Sequence, residues 1–267
     1  MIETIYTDKI RFSIDQLNNI PNSFGVYLFW KKDSEIPHYI GKSIKLRDRV
    51  KSHFQQANSV EKEKLITHGI DKIECIETTG EFSALMLESR LIKLMSPIMN
   101  RRLRKKKLIF TWLMSQTSAT QLILHSCDEA TFNPSSNFFG LYRSKRQALN
   151  HLNEIVTRHE LCKKLTGLES TNRACFSYQI NKCYGACVNK ESQEAHFARL
   201  LNATKQAQHT LWPYDNHLVI RENNIEHIID HWQYKGTNKL KTNSSQFYAD
   251  DYKIIYRFIH DKLTQLG

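Results

Sequence analysis

The stretch Phe24–His53 (FGVYLFWKKDSEIPHYIGKSIKLRDRVKSH) constrains this chain more than any other. Phe24 to Trp30 is aromatic and β-branched, with Pro21-Asn22-Ser23 before it and Lys31-Lys32-Asp33-Ser34 after it. Pro37 to Lys42 is a second short run, and the two predict a β-hairpin. From Ile44 to Gln56, Leu46, Val50 and Phe54 recur every four residues between charges, which predicts a helix. Ile70 to Thr78 alternates as a third strand would, and Glu81 to Met95 reads as a helix ended by Pro97. Residues 10–19 suit a short helix or a strand running into a turn. The expected class is α+β. Tyrosine, lysine, arginine and histidine gathered behind two short strands suit phosphodiester chemistry.

A net charge of +11 calls for an acidic partner, either nucleic acid or an anionic membrane surface. No apolar run is long enough to span a membrane, and the N-terminus is unlike a signal peptide, so the expected setting is cytoplasmic. Six cysteines in that setting are free thiols or metal ligands rather than disulfides. The first 107 residues carry 20 basic against 13 acidic side chains, and the rest 18 against 14. Arg101-Arg102-Leu103-Arg104-Lys105-Lys106-Lys107 marks the expected boundary between a first domain, 1–100, and a second, 108–267. That run suits a solvated linker and DNA-backbone contact equally, and Arg47 joins it as a candidate contact.

In the second domain Leu108–Met114, Thr120–His125 and Phe138–Tyr142 read as strands. Ser144–His159 reads as a helix capped by Ser144, with Leu149, Leu152, Ile155 and Val156 as its apolar face. A polar helix near 190–210 follows. The tail, 214–267, is expected as a subregion of this domain, with short strands, a Ser/Thr/Asn-rich turn at 242–246 and a last helix near Asp250–Leu263.

Glu88 falls on an apolar helical stripe with Leu85 and Ile92. A carboxylate there is costly unless compensated, either by a buried arginine or by a hard cation, since Mg²⁺ takes one or two protein carboxylates and keeps its waters. Arg49 and His53 are four apart on one helix and can face one substrate. Cys162, Cys175, Cys183 and Cys187 have 12, 7 and 3 residues between them. They suit four core cysteines, a zinc site or an iron–sulfur cluster; the single close couple is unlike the two couples usual for zinc. Cys75 and Cys127 read as ordinary buried thiols.

Gly25-Val26-Tyr27, Tyr39-Ile40-Gly41-Lys42, then Arg49, His53, Glu88 and Asn100 together resemble the GIY-YIG nucleases. The wording Tyr-Ile-Gly-Lys-Ser and Leu-Arg-Asp-Arg-Val, with the cysteine segment, resembles the UvrC/Cho excinucleases within them, and the chain length suits their short branch. The resemblance implies a small three-stranded antiparallel sheet flanked by helices, and one Mg²⁺ (or Mn²⁺) on Glu88. It implies Tyr27 or Tyr39 as base or water-positioning group, with Tyr27 preferred. Arg49 and Lys42 would neutralise the phosphate, Asn100 would orient a group at the site's edge, and His53 would hydrogen-bond beside the tyrosines. It implies a [4Fe–4S] cluster on the four cysteines, in preference to zinc. It also implies damaged double-stranded DNA as substrate, UvrB (with UvrA upstream) as partner, no nucleotide cofactor, and a cut on the 3′ side of a lesion without the 5′ cut. The competing expectations are a DNA-binding adaptor with an inactive site and a GIY-YIG nuclease outside repair.

Overall fold

The aromatic run forms strand β2 (Gly25–Lys31) inside a four-stranded antiparallel sheet. The computed structural model describes residues 2, 5–101, 108–114, 122–127, 138–209, 212, 214–240 and 248–264. The other strands are β1 (Ile10–Ser13), β3 (Tyr39–Ser43) and β4 (Ile70–Glu77), in the order β1-β4-β2-β3. The three expected strands are thus joined by a fourth. Segment 10–19 supplies it, running as a strand into a 3-10 turn at Ile14–Asn19. The β2–β3 register sets Tyr27 opposite Gly41 and Phe29 opposite Tyr39.

Residues 25–30 of β2 are buried without a break because both faces of the sheet are covered. Tyr27 and Phe29 pack toward helix α1 (Leu46–Gln56) and Ile66 of α2 (Glu61–Thr67). Val26, Leu28 and Trp30 pack toward Leu87, Leu91 and Ile92 of α3 (Glu81–Met95). Strand period two therefore sends alternate side chains into two cores. Beyond β3, residues 98–100 follow its open edge: Ile98 and Met99 donate backbone N–H bonds to Pro37 and His38.

A second unit comprises Leu108–Asp215 and Ser245–Ala249. Its sheet has β5 (Ile109–Met114) between β6 (Leu122–Cys127) and β7 (Phe138–Tyr142). Helix α4 (Lys145–Arg158) begins at Ser144, whose hydroxyl accepts the Gln147 N–H at 3.2 Å. Its buried face is Ala148, Leu152, Ile155 and Val156. Leu149, expected on that face, is 42% exposed: it lies at the margin of the stripe in the first turn, where Ala148 takes the buried place. A single turn, α5 (Phe176–Gln179), a 3-10 turn at Ala186–Val188 and helix α6 (Gln193–His209) follow.

The tail corrects one expectation. Strands β8 (Leu218–Glu222), β9 (Ile225–Asp230) and β10 (Gln233–Thr237) form a separate antiparallel sheet. Residues 216–244 and 250–267, the latter holding most of helix α7 (Ala249–Thr264), belong to the first unit with 1–107. The links are specific side chains on α3. Glu222 accepts the backbone N–H of Phe82 (2.6 Å) and of Ser83 (2.9 Å) and the Ser83 hydroxyl (2.5 Å), capping a helix 140 residues earlier. Arg90 pairs with Asp251 and Lys93 with Asp250. Phe82 packs against His227, Tyr234 and Phe258. Contacts of this kind leave no periodicity to read. The stretch 242–246 and the basic residues 102–107 lie outside the described residues.

Burial opposes ionisation of Glu222, but bonds from His227, Ser83 and Phe82 outweigh it and hold the carboxyl below its ordinary value. Its stabilisation is therefore present above that ordinary value and lost as pH falls through the lowered one. Glu222→Ala is expected to cost about 1–3 kcal/mol by uncapping α3 and leaving His227 without its anion. A thermal melt series should show that deficit at pH 7 and a smaller one at pH 4.

Candidate active site and thiolate centre

Tyr27 reaches across β3 where that strand has no side chain. A Cβ on Gly41 would collide with the Tyr27 hydroxyl and ring, so glycine is required there by close approach. The Tyr27 hydroxyl then meets His53 Nε2 at 2.5 Å. The other ring nitrogen, Nδ1, makes a very short contact with the Glu63 carboxylate. Tyr27 and His53 are essentially buried and Glu63 nearly so. Tyr39 closes the group, its ring 6.1 Å from that of Tyr27 and 5.5 Å from that of His53.

Burial lowers the His53 pKa, with Glu63 opposing, so the ring is neutral near pH 7. Burial pushes the Tyr27 hydroxyl well above its usual value, Tyr39 adds to this, and Arg49 opposes it. Tyr39 is raised by burial and by Glu88. Neither tyrosine is an anion on its own at neutral pH, so a base role needs a proton acceptor already in place. Tyr27 has one in His53.

Glu88 comes from α3, on the other face of the sheet, yet its charge acts on both tyrosines. Burial raises its pKa to about 7, against the pull of Lys42. Among the described residues it has no ion pair, so the buried-arginine explanation does not apply. A half-buried carboxylate with no ion pair among the described residues fits a hard divalent ion that brings its own waters. Lys42 instead pairs with Glu81 at 2.9 Å. Arg49 is half-buried beside Tyr27 and, among the described residues, has no carboxylate partner.

Asn100 is buried and acts on backbone: its Oδ1 accepts the Ile40 N–H at 2.9 Å, and its Nδ2 donates to the Ile40 carbonyl at 2.8 Å. It imitates a neighbouring strand and fixes β3 between Tyr39 and Gly41. Arg47 donates from Nε to the Ile20 carbonyl at 2.6 Å, a structural use of a side chain expected on DNA. Arg101 is exposed; Arg102, Arg104, Lys105, Lys106 and Lys107 lie outside the described residues.

Glu63 escaped the sequence reading because α2 is only seven residues long and mostly charged. Its signal was the one used for Glu88: a carboxylate sharing a buried helix face, here with Ile66 and Thr67.

In the second unit three of the four expected cysteines, Cys162, Cys175 and Cys187, bring their sulfurs within 4.8 Å of one another, and Cys183 lies beside Cys175. Cys175 Sγ lies 3.7 Å from Cys162 Sγ and 3.6 Å from Cys183 Sγ, and Cys187 Sγ is 3.4 Å from the Cys175 backbone nitrogen. Gly185, with φ of 75°, makes the turn that returns Cys187 toward Cys183. His196 on α6 accepts the Cys162 N–H at 3.0 Å. Burial pushes the Cys162 thiol up to about 12 and Cys183 to about 11. Burial opposes ionisation of Cys175 as well, but the Tyr178 N–H and the surrounding thiols draw it down. Three soft donors around one point, with the Cys183 sulfur beside Cys175, fit a thiolate-bound metal. Cys75 is buried in the first unit, apart from this group.

The sheet, its paired tyrosines and the α3 carboxylate define a GIY-YIG endonuclease domain, and residues 23–101 match the UvrC-like GIY-YIG domain family. Residues 102–206 match the UvrC/Cho excinuclease middle domain. Excinuclease cho of Escherichia coli K12 is 34% identical over 253 residues, covering 90% of this chain and 83% of that protein. The Salmonella typhimurium excinuclease cho is 33% identical over 263 residues, 94% and 86% of the two chains. The N-terminal GIY-YIG endonuclease domain of Thermotoga maritima UvrC, solved with its catalytic magnesium, is 34% identical, with a TM-score of 0.29 over 32% of this chain and 92% of that one. This chain belongs to the UvrC/Cho excinuclease family. It is an endonuclease, a phosphodiester hydrolase, and no helix among its described residues is long and apolar enough to cross a membrane.

Proposed function

We propose that this protein is a Mg²⁺-dependent DNA endonuclease of nucleotide excision repair that cuts the damaged strand on the 3′ side of a lesion, working with UvrA and UvrB. The observation that carries the reading is the convergence of Tyr27, His53, Arg49 and Tyr39 with the unpaired Glu88 carboxylate. Glu88 would hold the ion, which supplies Lewis-acid stabilisation of the phosphate when bound. Tyr27 takes the proton of the attacking water while its own hydroxyl proton passes to His53 Nε2. The phosphorus–oxygen bond to the 3′ oxygen breaks, and solvent protonates that oxygen, leaving 5′-phosphate and 3′-hydroxyl ends. Arg49 neutralises the phosphate; Lys42 joins it once released from Glu81. Tyr39 orients the water, and Asn100 keeps β3 in place for both tyrosines. Arg101 and the basic residues after it, with the free end of Arg47, bind the DNA backbone, where steering needs little fixed geometry.

The four cysteines hold a [4Fe–4S] cluster that stabilises the second unit, since hydrolysis transfers no electron. The loose 12-, 7- and 3-residue spacing supports it. One observation favours zinc instead: the Cys175 sulfur stands 3.7 Å from Cys162 and 3.6 Å from Cys183, near the edge of about 3.8 Å for zinc–sulfur bonds of about 2.3 Å, and Cys162, Cys175 and Cys187 lie within 4.8 Å of one another; Cys183 would have to move in to complete the site. Colourless, zinc-containing protein from anaerobic purification would end the cluster reading.

The decisive test is incision mapping on an end-labelled duplex with one defined lesion. A single Mg²⁺-dependent cut 3′ to the lesion is expected, dependent on UvrA and UvrB. A duplex left intact under conditions where UvrC cuts it would overturn the reading.

A further inference from the structure

The GIY-YIG pattern accounts for Tyr27 and His53 but says nothing of the carboxylate behind them. Three groups stand in a buried row: Tyr27 hydroxyl, His53 Nε2, and, through Nδ1, Glu63. The carboxylate is an acceptor only, so the Nδ1 that it contacts must carry the ring proton. The neutral imidazole then has a bare Nε2, and the Tyr27 hydroxyl must donate to it. Without Glu63 the ring is free to place its proton on Nε2, which would face the Tyr27 oxygen as a donor and leave the tyrosine proton nowhere to go. Thr67, its buried neighbour on α2, bonds to the Glu63 backbone carbonyl and leaves the carboxylate to His53. A buried ion beside a buried imidazole is also a poor choice for stability alone, because apolar groups of similar volume serve as well or better.

We propose that Glu63 is a positioning residue for strand cleavage: its carboxylate fixes the His53 tautomer whose Nε2 accepts the Tyr27 proton. The proposal rests on the reading of Tyr27 as the base. When the proton moves, the Tyr27 O–H bond breaks, an Nε2–H bond forms, and the imidazolium sits between the tyrosine and the Glu63 anion. The proton returns through Tyr27 as the products leave.

The test uses the full-length protein and two variants, Glu63→Gln and Glu63→Ala. Long-range ¹H–¹⁵N correlation spectra report the His53 tautomer without any need for activity. Single-turnover incision and DNA affinity are measured alongside. The wild type is expected to show the Nδ1–H form. Both variants should shift toward Nε2–H, incise at least about 10²-fold more slowly, and bind DNA within about threefold of wild type, in line with the cost of a wrong tautomer or a lost general base elsewhere. Glu63→Gln is nearly isosteric and keeps the test valid if the alanine variant is unstable. Wild-type protein in the Nε2–H form overturns the proposal. So does a Glu63→Gln protein that changes tautomer yet cuts at the normal rate, or that cuts slowly with its tautomer unchanged. If the wild type cuts no DNA, the functional reading fails on that ground, and the proposal falls with it as a statement about cleavage. The tautomer spectra then still show whether Glu63 orients the ring.

Discussion

Glu88→Ala is expected to reduce strand incision by at least about 10³-fold while changing DNA affinity by less than about threefold. A bound metal contributes several kcal/mol to transition-state stabilisation, and each 1.36 kcal/mol is a factor of ten. Glu88 is the carboxylate proposed to hold that metal, and the charges proposed to attract DNA lie elsewhere. The expected fold effect has the opposite sign. Burial raises the Glu88 pKa to about 7, so the folded protein resists ionising a group that ionises readily when unfolded. Whatever stability this provides is present below the unfolded value and is lost as pH rises through about 7. Metal-free Glu88→Gln should therefore melt no lower than wild type at pH 8, with the difference closing toward pH 4. The same shift predicts that Mg²⁺ binding, followed by calorimetry, weakens about tenfold per unit of pH below 7, because the ion must displace a proton. A variant that melts lower at pH 8, or incision that survives the alanine, would mark Glu88 as structural.

Much of the site was legible because GIY-YIG chemistry uses residues that also shape the sheet. Gly41 is needed by the Tyr27 ring that crosses it, and Tyr27 is held by the strand that carries the apolar run. Motif and fold are thus written in the same residues. What stayed hidden depends on partners distant in sequence with no pattern of their own. Glu222 caps a helix 140 residues away, and nothing in Leu218–Glu222 signals it. For Arg47, charge and helix position were all that could be read; the bond from its Nε to the Ile20 carbonyl appears only once the 3-10 turn folds back. Glu63 lay between these cases, carried by a helix too short to announce itself, on a stripe that could have been read as Glu88 was.

Cys175→Ala is expected to empty the thiolate centre, lowering bound metal by at least about tenfold and the melting temperature of the second unit by at least about 10 °C. Cys175 is the thiol nearest two others, so its loss removes the shared corner of the group. The segment has little else to hold it: its small core is Cys162, Cys175, Cys183 and Ala186, edged by Leu165, Tyr178 and Cys187. Structural thiolate centres contribute about 10–16 kcal/mol when metal binds, as much as the whole stability of an ordinary domain. Even a fifth of that shifts a melting point by about 10 °C or more in a unit near 100 residues. Cys75→Ala provides the control, since that thiol is equally buried but stands in the other unit. It should cost some stability there and leave the metal content unchanged. Metal analysis and visible absorbance on the two variants separate the possibilities. Loss of colour with Cys175→Ala alone supports the cluster, loss of zinc without colour supports the single ion, and full metal retention would show that the four thiols are only a core. Tyr27, His53, Arg49 and Glu88 all belong to the first unit, so a Cys175→Ala protein kept below its melting point should retain the cleavage chemistry. Any loss of incision there would then arise outside the hydrolytic step.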